Sequence, residues 1–480
     1  MADVLLTHCN HLFSDRKQVR KMQPYPPLQT LVAAACLRRA GLDVALFDST
    51  FAPPEEGFRD AVERHRPRLV ALVEDNFNFL TKMCLTQNRD LAFAMTGIAR
   101  KRGLAVLANG SDAIDHAPAY LEAGVNFVIS GELETTLLEI TDHVLGDKNG
   151  TFRDLPGLAY FAPASKAVAY TARRPLMCDL DWLPMPAWDL IDIEPYRRAW
   201  RDAHGYFALN LVSSRGCPYR CNWCAKPLFG DSYHHRSATA VAEEVDFLKR
   251  SHRPDQIWFA DDIFALSARW TQEFAASVER LNAQIPFKMQ SRCDLMTRDT
   301  VSALARAGCT EVWMGAESGS QKILDAMDKD TRVANIGEAR ENLRAHGIRA
   351  CFFLQFGFPG ETWEDIQATI RLVRDTQPDD IGVSVSYPLP GTRFYERVAG
   401  QLGSKRNWSD SDDLAMMFQG AYETRFYKAL HEALHFEVDF RNGRAPHGFG
   451  HDHLASLWRE VEELEKTCAH PQPTVLWTCC

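Results

Sequence analysis

Two separate series of short apolar runs, each followed by a helix-length amphipathic segment, constrain the fold of this 480-residue chain more than any other feature. The first series reads DVLLT, DVALFD, RLVALVED, LAVLANG and FVISG, all within residues 1–140. Runs of the VALF type are apolar on both faces, as strands of a parallel sheet covered by helices must be. Pro26 and Pro27 suit a helix entrance, Leu28, Leu31, Val32 and Ala35 recur on one face, and Gly41 is a natural stop. Residues 1–140 are expected to form an α/β domain with a Rossmann-like, doubly wound parallel sheet. Ligands of such a sheet lie beyond the carboxyl ends of its strands, here among His8, Asn10, Asp48, Glu74, Asp75, Asn109, Gly110, Ser111, Gly131 and Glu132.

Residues 141–204 change texture, with the short runs GLAYFA and AVAYT and the proline-rich DLDWLPMPAWDLID, and read as a linker. The second series occupies residues 205–400: YFALNLVSSRG, QIWFADD, FKMQSRCDL, EVWMGAES, ACFFLQFGFPGE and DDIGVSVSYPLPGT. It reads as a curved parallel sheet, a partial (β/α)6 barrel. Residues 401–480 are more polar and mostly helical, and end in a cysteine-containing tail.

The net charge of −9 argues against a general nucleic-acid-binding surface. No apolar stretch approaches the roughly 18 residues a membrane helix needs, and no signal peptide opens the chain, so a soluble, cytoplasmic protein with no membrane partner is expected. Thirteen cysteines, an odd and scattered set, make a poor disulfide framework and suit a reducing compartment. Cys36, Cys84, Cys309 and Cys351 lie in apolar segments and read as small buried hydrophobes.

The exception is RGCPYRCNWCAKP, residues 215–227, where Cys217, Cys221 and Cys224 stand four and three residues apart. A structural zinc site would need a fourth ligand, which His234 or His235 could supply, but zinc spacing normally comes as two separated pairs. A ferredoxin-like cluster would need a fourth cysteine nearby. The remaining reading is a [4Fe-4S] cluster held by three thiolates, its fourth iron open to a molecule with N and O donors. The triplet follows an apolar strand, where a parallel barrel places its chemistry. Trp223 offers an aromatic face suited to an adenine, or simply a core residue.

The triplet and its aromatic residue resemble those of the radical S-adenosylmethionine (SAM) enzymes, and the preceding domain resembles the cobalamin-binding domain fused to one large branch of them. The resemblance covers nearly the whole chain. YPPLQTLVAAACLRRAGLDVALFD and FVISGELETTLLEI are similar to the first and last units of the cobalamin domain, and FADDIF, GAESGSQKILDAMDK, FGFPGET and PLPGT follow in family order. It implies a cluster that binds SAM and on reduction cleaves a carbon–sulfur bond to a 5′-deoxyadenosyl radical, with an external donor such as flavodoxin or ferredoxin and a small-molecule substrate. By the same resemblance Arg292 would pair with the SAM carboxylate, Glu317 and Ser318 would hold ribose hydroxyls, Gly357 would lie beside adenine, and Asp261 or Asp262 would face the SAM site or cap a helix. Gly110 would admit a corrin or its tail. The D-x-H-x-x-G motif that brings a histidine to cobalt is absent, and ANGSDA stands where the family often writes GGPH. Both a corrinoid without a protein histidine and a degenerate scaffold remain open.

KTCAHPQPTVLWTCC adds Cys468, Cys479 and Cys480, either an inert tail, thiols for a soft atom such as trivalent arsenic, or a redox group. The expected function is reductive SAM cleavage, foremost as a cobalamin-type radical methyltransferase acting on an unactivated carbon or a heteroatom. The alternatives are transfer of SAM's 3-amino-3-carboxypropyl group to thiol-bound arsenic, as in arsinothricin formation, a ring-forming or rearranging reaction, or a non-catalytic iron–sulfur or corrinoid carrier.

Overall fold

The structure is a computed structural model that describes residues 1–77, 86–146, 151–162, 165, 167–225, 228–402 and 414–470. Its first sheet contains β1 (Val4–Thr7), β2 (Val44–Phe47), β3 (Leu69–Val73), β4 (Ala105–Asn109), β5 (Phe127–Ile129), β6 (Leu158–Phe161) and β7 (Val168–Tyr170), in the order β2-β1-β3-β4-β5-β6-β7. The strands from β2 to β5 are parallel. Alternation sends Val4 and Leu6 to one face, under the helices Leu28–Arg39 and Glu134–Leu145, and Leu5 to the other, under Pro54–His65 and Thr86–Arg100. Each strand is therefore buried on both sides, and each fully buried aliphatic side chain contributes about 1.5–3 kcal/mol. In this winding the chain leaves β1 in opposite directions, which opens a crevice at the carboxyl ends of β1 and β3. The runs in the segment expected to be a linker, β6 and β7, add to this sheet as antiparallel strands.

The second sheet contains β8 (Ala208–Leu211), then, after the two-residue β9 (Ser214–Arg215) and β10 (His234–His235), the strands β11 (Gln256–Phe259), β12 (Phe287–Ser291), β13 (Cys309–Glu317), β14 (Arg349–Phe356) and β15 (Asp380–Val385). Its order, β15-β14-β13-β12-β11-β8, is a six-stranded parallel partial barrel, with β9 and β10 forming a separate antiparallel pair. Val312, Met314, Phe352 and Leu354 point outward into the core beneath the helices. The helix Thr424–Arg441 packs along β15 and pairs with His451–Cys468. Its end is moored at the start of β15 by Arg441 donating to the carbonyl of Pro378 (2.7 Å) and Asn442 to that of Asp379 (3.0 Å).

The two sheets are joined by the helix Glu194–His204. Its fully buried Tyr196 donates to Asp48 beyond β2, and its fully buried Trp200 donates to the Pro24 carbonyl. Among the described residues no helix is long and apolar enough to cross a membrane.

Candidate active site

The cysteine loop leaves the barrel at β9, and its entry is set by the acids that end β11. Asp261 accepts from the Ser213 amide (3.1 Å) and hydroxyl (2.8 Å) and from the Ser214 hydroxyl, while Asp262 accepts from the Gly216 amide (3.3 Å). Gly216 has φ +79°, and a Cβ there would lie 2.1 Å from the Ser232 carbonyl oxygen, so the turn before Cys217 admits only glycine. Asn222 pins the middle of the loop, its amide donating to the Met327 carbonyl (3.0 Å) and its side chain to Ala326 (2.7 Å) and Asp328 (3.0 Å). Cys217, Cys221 and Cys224 are half-buried on this anchored loop and take part in no disulfide. His234 and His235 lie across from Arg215 and Ser214 in the β9–β10 pair, and His235 is exposed.

Burial raises the Asp261 carboxyl from its ordinary 3.8 to about 6. The folded chain therefore holds this proton more tightly than the unfolded one. The contribution is complete below about pH 4 and disappears as pH rises through 6, on the order of 3 kcal/mol in all. Asp261→Asn has no such titration. Denaturant unfolding between pH 4 and pH 8 should show the wild type losing about that much stability relative to the variant, and parallel profiles would contradict the assignment.

Arg215, directly before the loop, is buried between the sheets. It bonds Glu134 at 2.6 and 3.1 Å and Glu132 at 3.3 Å, both just beyond β5, and Gln29 adds a bond to Glu134 at 2.7 Å. Its guanidinium also lies over Phe77 and Phe229, which stack with centroids 5.6 Å apart. Burial pushes Glu134 up, but Arg215 outweighs it and holds the carboxylate below its ordinary range. The carboxyl ends of the two sheets consequently face each other across the cysteine loop.

Above the barrel, Glu317 closes β13 in the left-handed region (φ +58°), at a register shift between Gly315 and Glu317, and bonds Lys329 at 2.8 Å with both side chains nearly buried. Such backbone strain in a non-glycine residue gathers at functional sites. Burial opposes the Lys329 charge, but Glu317 and the neighbouring Cys221 more than offset it, so its pKa is raised. Arg292 stacks on Tyr219 at 3.7 Å and donates to Asp294 (2.9 Å), to the carbonyls of Lys329 and Asp330 (2.7 Å each) and to the Thr331 hydroxyl (2.6 Å), building the loop that carries Lys329. Ser318 is fully buried against Thr369 at 3.1 Å. Trp223 packs against Ile323, Met327, Phe358 and Phe394, its indole nitrogen buried without a partner. The Gly357 amide donates to Glu361 at 2.6 Å, and Met416 and Tyr427 crowd its α-carbon.

At the crevice of the first sheet, His8 is held by Asp48 through Nε2 (2.9 Å) and by the Asn10 amide through Nδ1 (3.2 Å). A Cβ on Gly110 would lie 2.9 Å from Glu74 Cγ, and Glu74 Oε2 and Asn76 Oδ1 are buried there without partners. Cys468 is buried at the end of its helix, where its carbonyl accepts from the Glu423 amide (3.3 Å). Cys479 and Cys480 lie outside the described residues.

Arg215 and Lys329 escaped the sequence reading, although each borders a quoted motif: Arg215 opens RGC and Lys329 closes GAESGSQKILDAMDK. Neither position announces a long-range partner.

Residues 211–373 match the family model of the Radical SAM superfamily. An uncharacterized methyltransferase of Pyrococcus horikoshii is 28% identical over 286 residues, 59% of this chain and 60% of that protein, so the match spans less than two thirds of the relative's length. The radical SAM methyltransferase TsrM of Kitasatospora setae, solved with cobalamin and a [4Fe-4S] cluster, superposes with TM-score 0.69 at 18% identity over 85% of this chain and 80% of its own. The cobalamin-dependent SAM radical enzyme OxsB, solved with aqua-cobalamin, gives TM-score 0.71 at 16% identity over 97% of this chain and 71% of its own. The anchored cysteine loop thus lies within the segment, residues 211–373, that matches the Radical SAM superfamily, in a chain whose overall fold is shared with these cobalamin-dependent enzymes.

Proposed function

We propose that this chain is a radical SAM methyltransferase in which Cys217, Cys221 and Cys224 hold a [4Fe-4S] cluster, SAM occupies the open iron and a corrinoid lies on the first sheet. The observation that carries the reading is the Arg215 junction, which sets the cysteine loop against the carboxyl edge of a sheet built to take a ligand there. Three closely spaced, half-buried cysteines on one anchored loop, none in a disulfide, suit a cluster with a vacant iron. When bound, cluster and SAM supply reductive cleavage of a carbon–sulfur bond.

The protein's own contribution is orientation and charge. Lys329, kept protonated by Glu317, offsets the thiolate charge at Cys221, and Trp223 offers a ring beside Cys224 with one unused donor. Glu317 has its Oε2 for a ribose hydroxyl, whereas Met416 and Tyr427 fill the space that the absent side chain of Gly357 leaves, which leaves it no room to face an adenine there. Ser318 and Arg292 serve by shaping the strand end and the 329–331 loop.

On the first sheet, the unpartnered Glu74 Oε2 and Asn76 Oδ1 beside Gly110 suit the amide-rich rim of a corrinoid. Both His8 nitrogens are engaged, which supports a corrinoid bound without histidine. A cytoplasmic setting with flavodoxin or ferredoxin as donor belongs to the same reading.

Anaerobic incubation of reconstituted protein with SAM, a strong reductant and hydroxocobalamin tests it. Release of S-adenosylhomocysteine on turnover is expected. Release of 5′-deoxyadenosine alone would replace methyl transfer by a rearrangement or ring closure, and no cleavage after verified reconstitution would remove the enzyme reading.

A further inference from the structure

The concave face of the barrel carries side chains that neither the cysteine loop nor the first sheet uses. On β14, Phe352 and Leu354 are 0% exposed beneath the outer helices, yet Phe353 between them is 38% exposed. Alternation along the strand turns Phe353 toward the barrel interior. It stacks on Trp313 of β13, centroids 4.9 Å apart and planes 29° from parallel. Gly382 of β15 leaves these rings uncovered, because a Cβ there would meet Phe353 at 3.2 Å and Trp313 at 3.4 Å. A glycine facing a half-exposed aromatic pair is a platform for another flat group.

Nearer the strand starts, Lys288 of β12 lies 5.7 and 5.8 Å from the ring centroids of Trp200 and Trp258. Among the described residues it forms no ion pair. The nearby acids are engaged elsewhere: Glu311 accepts from Trp313 Nε1 (2.8 Å) and pairs with Arg349 (2.9 Å), and Asp380 stands 3.7 Å from both Arg349 and Arg444. Burial depresses the Lys288 pKa, Glu311 opposes this, and Lys21 and Arg349 add to the depression, the signature of a cation short of negative charge. The Tyr25 hydroxyl, buried without a partner beside Trp258, adds a donor to the same end.

We propose that the barrel interior binds a substrate with a flat, ring-bearing apolar body and an anionic end group, the body on the Trp313–Phe353 platform and the anion at Lys288. This rests on the enzyme reading above and specifies its substrate class. Trp313 and Glu317 are four residues apart on β13, roughly 13 Å at about 3.3 Å per residue. The part of the substrate beyond the ring therefore points toward Glu317 and the cysteine loop, and the reacting atom is remote from the anion.

Equilibrium dialysis of the full-length, reconstituted protein against 2-naphthoate, 2-naphthyl phosphate, 2-methylnaphthalene and 2-naphthylmethylammonium tests the proposal. At least one anionic probe should bind about tenfold more tightly than the neutral and cationic ones, as a charge-assisted contact provides. The better anion identifies the end group as carboxylate or phosphate. Lys288→Met should abolish the preference, and Phe353→Ala should weaken every naphthyl probe. Equal binding of the cation and the anions, no binding of either anion, or a preference that survives Lys288→Met overturns the proposal. The wild-type probe series decides the charge question even if a variant does not fold. Binding is read without turnover, so failure here leaves SAM cleavage unaffected, and lost SAM cleavage with intact probe binding would count against the enzyme reading alone.

Discussion

Cys224→Ser is expected to remove reductive SAM cleavage while leaving the fold in place, and Cys217→Ser and Cys221→Ser should do the same. A serine hydroxyl stays protonated at neutral pH and is a poor ligand for iron, so one of three thiolates would be lost with no described neighbour to replace it. The fall in SAM cleavage should exceed the roughly 10–100-fold that losing an outer-shell partner of a metal site costs. Stability of the unreconstituted protein should change by only about 0.5 kcal/mol, because the thiols are half-buried and Asn222, Gly216 and Asp262 anchor the loop. Iron and sulfide content, SAM cleavage and thermal unfolding measured on the same preparations separate these effects. A serine variant that keeps its full iron content and turnover would remove that cysteine from the ligand set.

Arg215→Met should be the most destabilising single change at the junction of the two sheets. The guanidinium side chain is 3% exposed, and its partners Glu132 and Glu134 are 6% and 0% exposed. Removing one member of a buried charge cluster leaves the others unpaired, at a cost of about 3–5 kcal/mol. The pH dependence carries the signature. Without Arg215 only the weaker hydrogen bonds from Gln29 and the backbone oppose the burial of Glu134, the largest single influence on it, so its folded pKa rises above the unfolded value. Stability is then retained at low pH and lost as pH rises through the folded value. The deficit relative to wild type should widen from pH 5 to pH 8, and Arg215→Met with Glu134→Gln should recover part of it. A small, pH-independent deficit would show that the triad does not hold the sheets together.

Much of this was legible because the signals are local. Strands such as LVALV must be covered on both faces, and three cysteines in eight positions can serve few purposes. The same runs GLAYFA and AVAYT carried no mark of their partner, because pairing onto β5 depends on a surface distant in sequence. Arg292 and Ser318 show the opposite limit. Their types suit a cofactor, but the folded chain surrounds Arg292 with Asp294, Thr331 and two carbonyls, and Ser318 with Thr369.

By itself the sequence determined the two βα series and the close spacing of Cys217, Cys221 and Cys224, since periodicity and spacing act within a few residues. Only the tertiary structure decided that Arg215 meets Glu134 across 81 positions, that Lys329 returns to Glu317, and that Phe353 stays half-exposed on the inner face of the barrel. Those outcomes follow from burial, where a charge must find its counter-charge wherever the chain has carried it.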